Sequence, residues 1–142
     1  MAAVNVLLVE INPFVPACTP ISLGYIAAYL NARGFHTKIV TIGQDTPWSR
    51  VNLETLIRDF QPALVGISAY QRTMLYVLGF ADLVKSVNED IKVVIGGPQA
   101  TFMPSTALLE MPAVDYICRA SGEVTLAAVA EAEHGRNMHG RG

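Results

Sequence analysis

Charge is scarce in this chain: 15% of its 142 residues are Asp, Glu, Lys or Arg, and the net charge is −2. That balance gives no electrostatic reason to expect nucleic acid as a partner. Cysteine is scarcer still. Cys18 and Cys118 are the only two, too few to hold an iron–sulfur cluster or a structural zinc ion alone. Nothing points to an oxidising compartment that would pair them. Cys118 falls in an apolar strand and reads as a buried core thiol, whereas Cys18 falls in a loop and is open to a role. No apolar run reaches the roughly 18 residues of a membrane span. The start, MAAVNVLLVE, lacks the basic opening and small-residue cleavage site of a signal peptide. A cytoplasmic protein without a membrane span is expected.

What is abundant is apolar: 51% of the residues are hydrophobic, enough for one domain with a real core. Apolar runs of strand length alternate with segments of helical period, the signature of βαβ units and a parallel sheet. The expected strands are Val4–Ile11, His36–Ile42, Ala63–Ala69, Lys92–Ile95 and Val114–Arg119. Asn12, Pro13, Pro16 and Pro20 break the chain after the first. Thr19 and Pro20 suit a helix start, Leu23, Ile26, Ala27 and Leu30 form one face, and Gly34 supplies the stop. A second helix presents Leu53, Leu56, Ile57 and Phe60 and ends at Pro62. A third spans Met74–Asn88, a short one lies near Ser105–Met111, and the last runs from Glu123 to about Glu133. The domain is expected over residues 1–133, with 134–142, HGRNMHGRG, as a linker or frayed end.

Five such units with right-handed crossovers give an α/β fold, a doubly wound five-stranded parallel sheet of flavodoxin-like (Rossmann-like) order 2-1-3-4-5. Ligands bind such sheets at the carboxyl ends of the strands, beside the switch point between strands one and three. The loops to search are therefore Asn12–Pro20, Tyr70–Thr73, Gly97–Pro104 and Ala120–Glu123.

Several ligand classes fail at those loops. The first strand is followed by NPFVPACTP, without the GxGxxG of a dinucleotide site, without a P-loop, and without a Ser/Thr/Gly-rich flavin-phosphate loop. A phosphoacceptor domain would need an Asp ending strand three and acids after strand one; here stand Ser68 and Ala69, with only Glu10 near the first position. Small residues remain. Gly96 and Gly97 end strand four, which either lets something bulky approach the backbone or serves a turn with positive φ. Ser68 is equally a small core residue, and Gly122–Glu123 suits a helix start.

Three stretches now stand out together. TPISLGYIAAYLNARGFHTKIV resembles the opening of the cobalamin-binding domain found N-terminal in many cobalamin-dependent radical SAM enzymes. LVGISAYQRTM resembles that family's third strand and loop. VVIGGPQATFMP, followed by VDYICRASGEVTL, resembles its "GGP" turn and "GE" helix start. The likeness runs in order from about Val4 to Glu131, with Ala120 replacing a common Gly.

The resemblance implies a cobalamin-binding fold whose crevice takes the dimethylbenzimidazole tail. Ser68, Gly96 and Gly97 would line the slot, Tyr70, Gln71, Gln99 and Ala100 would border the tail, and Gly122 and Glu123 would lie near its ribose and phosphate. Asn12, Pro13, Ser22 and Gly24 are further implied cofactor contacts, the corrin's lower face lying above Asn12–Pro20. Whether Asn12 or Cys18 approaches cobalt stays open. The DxHxxG motif that ligates cobalt in mutase-type domains is absent; His36, His134 and His139 lie elsewhere. The implied state is base-off and His-off, with no metal ligand assigned, and His36 simply opens strand two.

Radical SAM chemistry also needs a CxxxCxxC motif for its [4Fe–4S] cluster, and the chain has none. The S-adenosylmethionine, the cluster and the catalytic barrel would come from a further C-terminal region or another polypeptide, in a methyltransferase or cyclase. The chain alone has no expected catalytic residue. The competing reading is a flavodoxin-like sensing or interaction module without cofactor.

Overall fold

The computed structural model describes residues 4–12, 21–43, 48–97, 103–118 and 126–133. The strands are β1 Asn5–Ile11, β2 His36–Ile42, β3 Leu64–Ser68, β4 Lys92–Gly96 and β5 Tyr116–Ile117. Between them lie α1 Ile21–Ala32, α2 Arg50–Phe60 and α3 Met74–Val87, and residues 126–133 form α4. Two 3-10 segments, Gln71–Thr73 and Ser105–Glu110, precede α3 and β5. All strand pairs are parallel, in the order β2-β1-β3-β4-β5.

That order puts β1 at the centre, and its sequence shows why. Val6, Leu7, Leu8 and Val9 are all at most 1% exposed, since helices cover both faces of a doubly wound sheet. Alternate side chains feed two separate cores. Leu7, Val9 and Ile11 pack with Leu53 and Ile57 of α2 and with Val77, Phe80, Ala81 and Val84 of α3. Val6 and Leu8 face the other way, onto Leu23, Ala27 and Leu30 of α1 and Leu126, Ala127 and Ala130 of α4.

The helix ends follow local chemistry. Gly34 takes φ +92° after α1, and the Phe35 amide donates back to the Leu30 carbonyl at 3.1 Å, a closure that needs a residue free of a Cβ. At α2 the expected stop was Pro62. The turn is made one residue earlier, by Gln61 in the left-handed region at φ 52°, its amide on the Ile57 carbonyl at 3.0 Å.

Strands β1 to β4 lie within a residue of expectation at each end, and β2 matches it throughout. The fifth is shorter than Val114–Arg119. Ahead of Tyr116 the ladder is partly replaced by a side chain, since Asp115 Oδ2 accepts the Val93 amide at 2.8 Å. The same oxygen pairs with Lys85 Nζ at 2.7 Å, and that ammonium also donates to the Ile91 carbonyl at 2.7 Å. This clamp binds α3 to β4 and β5 at the amino edge of the sheet. At that edge too, the Tyr116 hydroxyl bonds the buried carboxyl group of Glu133 on α4.

Candidate functional site

At the carboxyl edge the polar character changes. The strand register sets four residues in one row across the sheet: Thr41 opposite Glu10, Glu10 opposite Ser68, and Ser68 opposite Gly96. By the two-residue alternation they share the face of Val6 and Leu8, beneath α1 and α4. The next inward row on β3 and β4 is Gly66 and Val94. A Cβ on Gly66 would lie 3.2 Å from Leu8 Cδ2 and 3.4 Å from Leu126 Cδ2, so two leucines fill the space that glycine leaves. Above it the crowding eases. A Cβ on Gly96 would meet only Cys118 among the described residues, 3.7 Å from its Cβ.

Gly97 differs from Gly96. Its φ is +94°, and a Cβ there would stand 3.2 Å from Ser68 Oγ. Of the two reasons open for the glycine pair, the positive-φ turn therefore belongs to Gly97, while Gly96 keeps ordinary backbone and is not crowded by the described residues on the α1–α4 face.

Glu10 is the residue that sequence reasoning left out of the site. The Tyr70 hydroxyl donates to Glu10 Oε1 at 3.4 Å, across the β1–β3 switch point. Glu10 Oε2 is buried and has no hydrogen-bond partner among the described residues. A buried acceptor left in that state costs about 1–3 kcal/mol, more when charged. An acid at the end of NVLLVEI, an otherwise nearly unbroken apolar strand, was the available signal.

Tyr70 is itself held in place. Thr73 Oγ1 accepts the Tyr70 amide at 3.3 Å and donates to the Tyr70 carbonyl at 3.2 Å, and Thr73 is buried. The 3-10 turn Gln71–Thr73 thus fixes the backbone from which the Tyr70 ring reaches Glu10.

The other expected contacts divide by place. The Asn12 amide donates to the Ile42 carbonyl at 2.9 Å, capping the β1–β2 ladder beside the crevice. Gly24 lies in α1, where a Cβ would meet nothing within 4 Å among the described residues. Gln71 is exposed. Ser22 belongs to α1, but its side chain lies outside the described residues, as do Pro13, Gln99, Ala100, Gly122 and Glu123. Cys18, His134 and His139 lie outside them too. Thus Ser68, Gly96, Gly97 and Tyr70 come together, with Glu10 added.

Two further features lie apart from this edge. His36 starts β2 at the opposite, amino edge, its Nδ1 3.1 Å from Asn5 Oδ1. A cavity of about 380 Å³ opens on the other face between α2 and α3, bordered by Trp48, Arg50, Gly79 and Asp82. Cys118 is buried behind Gly96, and burial pushes its thiol up to about 11.

The family model described as "B12 binding domain" matches residues 11–130. The chain belongs to the B12-binding domain family. The chain is 31% identical over 122 residues to the uncharacterized methyltransferase PH0819 of Pyrococcus horikoshii, covering 85% of this chain and 26% of the relative. It is 32% identical over 123 residues to the anaerobic magnesium-protoporphyrin IX monomethyl ester cyclase of Rubrivivax gelatinosus, covering 86% and 22%. This B12-binding domain spans about a quarter of the length of those relatives. Among solved structures it is similar to the radical S-adenosylmethionine methyltransferase TsrM from Kitasatospora setae, a structure with cobalamin and a [4Fe-4S] cluster bound. The TM-score is 0.75 at 20% identity, over 94% of this chain and 25% of that one. At that identity the structural likeness speaks for the fold.

Proposed function

We propose that the chain binds cobalamin base-off and His-off, as the cofactor module of a radical SAM methyltransferase or cyclase. The observation that carries this reading is the row Glu10–Ser68–Gly96 at the switch point. It combines missing side-chain bulk with a buried oxygen that lacks a partner among the described residues, as suits a crevice for a polar, flat nucleotide arm. Ser68, Gly96 and Tyr70 would line that arm, with Gly97 holding the turn beside them. Asn12, Pro13, Ser22, Gly24, Gln71, Gln99, Ala100, Gly122 and Glu123 complete the proposed contact set. When bound, cobalamin supplies a cobalt centre able to carry a one-carbon group.

The His-off part is supported by His36, which is engaged with Asn5 at the amino edge. The barrel, S-adenosylmethionine and the cluster belong to the larger enzyme, in cis or in trans. Large apolar side chains support a covering partner at the carboxyl edge. Tyr25 and Val51 are 70% exposed and Leu75 is 86% exposed, each near the start of α1, α2 or α3, where those helices leave the strand tips. Residues 1–133 would form the module and 134–142 its linker. A reducing cytoplasm is the assigned compartment, in keeping with the free buried thiol of Cys118.

The test is reconstitution with hydroxocobalamin, desalting, and measurement of cobalt content and visible spectrum. Stoichiometric cobalt with a base-off spectrum is expected. Gly96→Leu, which fills the space above Gly66, should retain the fold by circular dichroism and lose the cobalt. Colourless wild-type protein would leave the cofactor-free scaffold as the better reading.

A further inference from the structure

We infer that Glu10 is a positioning residue for the cofactor, its carboxylate accepting a hydrogen bond from a donor on the nucleotide arm of cobalamin. This rests on the cobalamin reading of the site and adds a specific polar contact to it.

The argument starts from how other buried or half-buried acids are satisfied. Asp115 has Lys85 and the Val93 amide, Glu133 has the Tyr116 hydroxyl, and Glu54 has Arg50 and Arg58. Among the described residues Glu10 has one long bond from Tyr70 to Oε1, no ion pair, and no partner for its buried Oε2. An ionised carboxyl group is an acceptor only, so the missing partner must bring a hydrogen. Folded proteins rarely leave such a group unmet, and the exceptions gather at sites that await a ligand.

Position chooses the kind of donor. Glu10 is one residue short of the end of β1 and in register with Ser68 and Gly96. Ser68 and Gly96 end β3 and β4, so Glu10 lies in the outermost row of those strands on the face of Val6 and Leu8, where the proposed slot opens, and a corrin ring would lie beyond the strand tips. The nucleotide arm is the part of cobalamin that enters a slot, and it carries hydroxyl donors. Tyr70 holds Oε1, leaving Oε2 for the guest.

The experiment uses the 142-residue chain as wild type, Glu10→Met and Glu10→Gln. Each is titrated with hydroxocobalamin and with cobinamide, which lacks the nucleotide arm, and each is unfolded in urea without ligand. Wild type should bind hydroxocobalamin. Glu10→Met should bind it roughly ten- to a hundredfold more weakly, bind cobinamide as wild type does, and be at least as stable without ligand. Glu10→Gln, which keeps an acceptor oxygen, should recover part of the affinity. A structural acid would show the opposite coupling, with stability and both affinities falling together.

Unchanged hydroxocobalamin affinity in Glu10→Met, or equal losses for the two corrinoids, would overturn the inference while leaving the module reading intact. Failure of the wild type to bind either corrinoid would overturn both.

Discussion

A Cβ atom on Gly97 would stand 2.9 Å from the carbonyl oxygen of Ala69 and 3.0 Å from its amide nitrogen. The end of β3 and the turn after β4 are thus pressed together backbone to backbone, at the place where the Ala69 amide also bonds the Gly96 carbonyl at 2.7 Å. Any side chain at Gly97 must displace backbone as well as adopt an unfavourable φ. Gly97→Ala should therefore lower the unfolding free energy by about 1–3 kcal/mol or more. Gly96→Ala, with ordinary φ and a 3.7 Å neighbour, should change it by less than about 1 kcal/mol. Urea denaturation of the two variants checks the contrast, and equal effects would refute it.

Asp115 supplies a second contrast. Asp115→Ala removes the acceptor of the Val93 amide together with the partner of Lys85, and a loss of about 1–3 kcal/mol is expected. Asp115→Asn keeps a carbonyl oxygen for the amide and should restore most of it. Rescue by Asn that fails in thermal melts would mean that the ion pair, rather than the amide bond, holds the edge.

Cys118 should make stability fall in alkali. Its folded thiol is raised from 9.0 to about 11 by burial, so between those values the unfolded chain has released a proton that the folded chain still holds. The unfolded state then binds fewer protons, and stability declines as pH rises through that window, by at most about 1.4 kcal/mol per unit. Below pH 9 the contribution is fully present. The difference between wild type and Cys118→Ala, measured by urea unfolding at pH 8, 9 and 10.5, should shrink over this window. A constant difference would refute the assignment. In the same protein, Cys118 should resist iodoacetamide at pH 8 until it is unfolded.

His36→Ala should leave the visible spectrum of bound cobalamin unaltered, because the imidazole is engaged with Asn5 Oδ1 at 3.1 Å and tilted against Phe60 with ring centroids 5.6 Å apart. Loss of those exposed contacts should cost less than about 1 kcal/mol. A shifted spectrum would overturn the His-off proposal.

Much of the architecture was legible because burial on both faces writes the inner strand β1 as a nearly unbroken apolar run, while the edge strand β2 is buried only toward its carboxyl end. HTKIVTI and NVLLVEI are bounded by Gly34, Asn12 and Pro13, and their alternation with helical segments leaves few topologies. What misled was local. The end of α2 was assigned to Pro62, although Gln61 made the turn. The run before Tyr116 looked like strand, because the role of Asp115 as a substitute for ladder bonds depends on Lys85 thirty residues away. The 3-10 turn Gln71–Thr73 depends on the Thr73 hydroxyl meeting the Tyr70 backbone, which no periodicity encodes. At the site, glycines announced small size but could not say which needed positive φ. In the sequence Glu10 reads only as a lone acid near a phosphoacceptor position, since its worth lies in the register with Ser68 and in an oxygen unmet among the described residues.

The leucines that close over Gly66 would make the proposed crevice a depth gauge. From the tips of β3 and β4 to that row is about two residues of strand, roughly 7 Å. Under the proposed binding mode, a short, flat pendant would reach down to that row, and a longer one would stand proud of the sheet. Leu8 and Leu126 would thereby set how high any attached ring is carried, and so the spacing to whatever faces it.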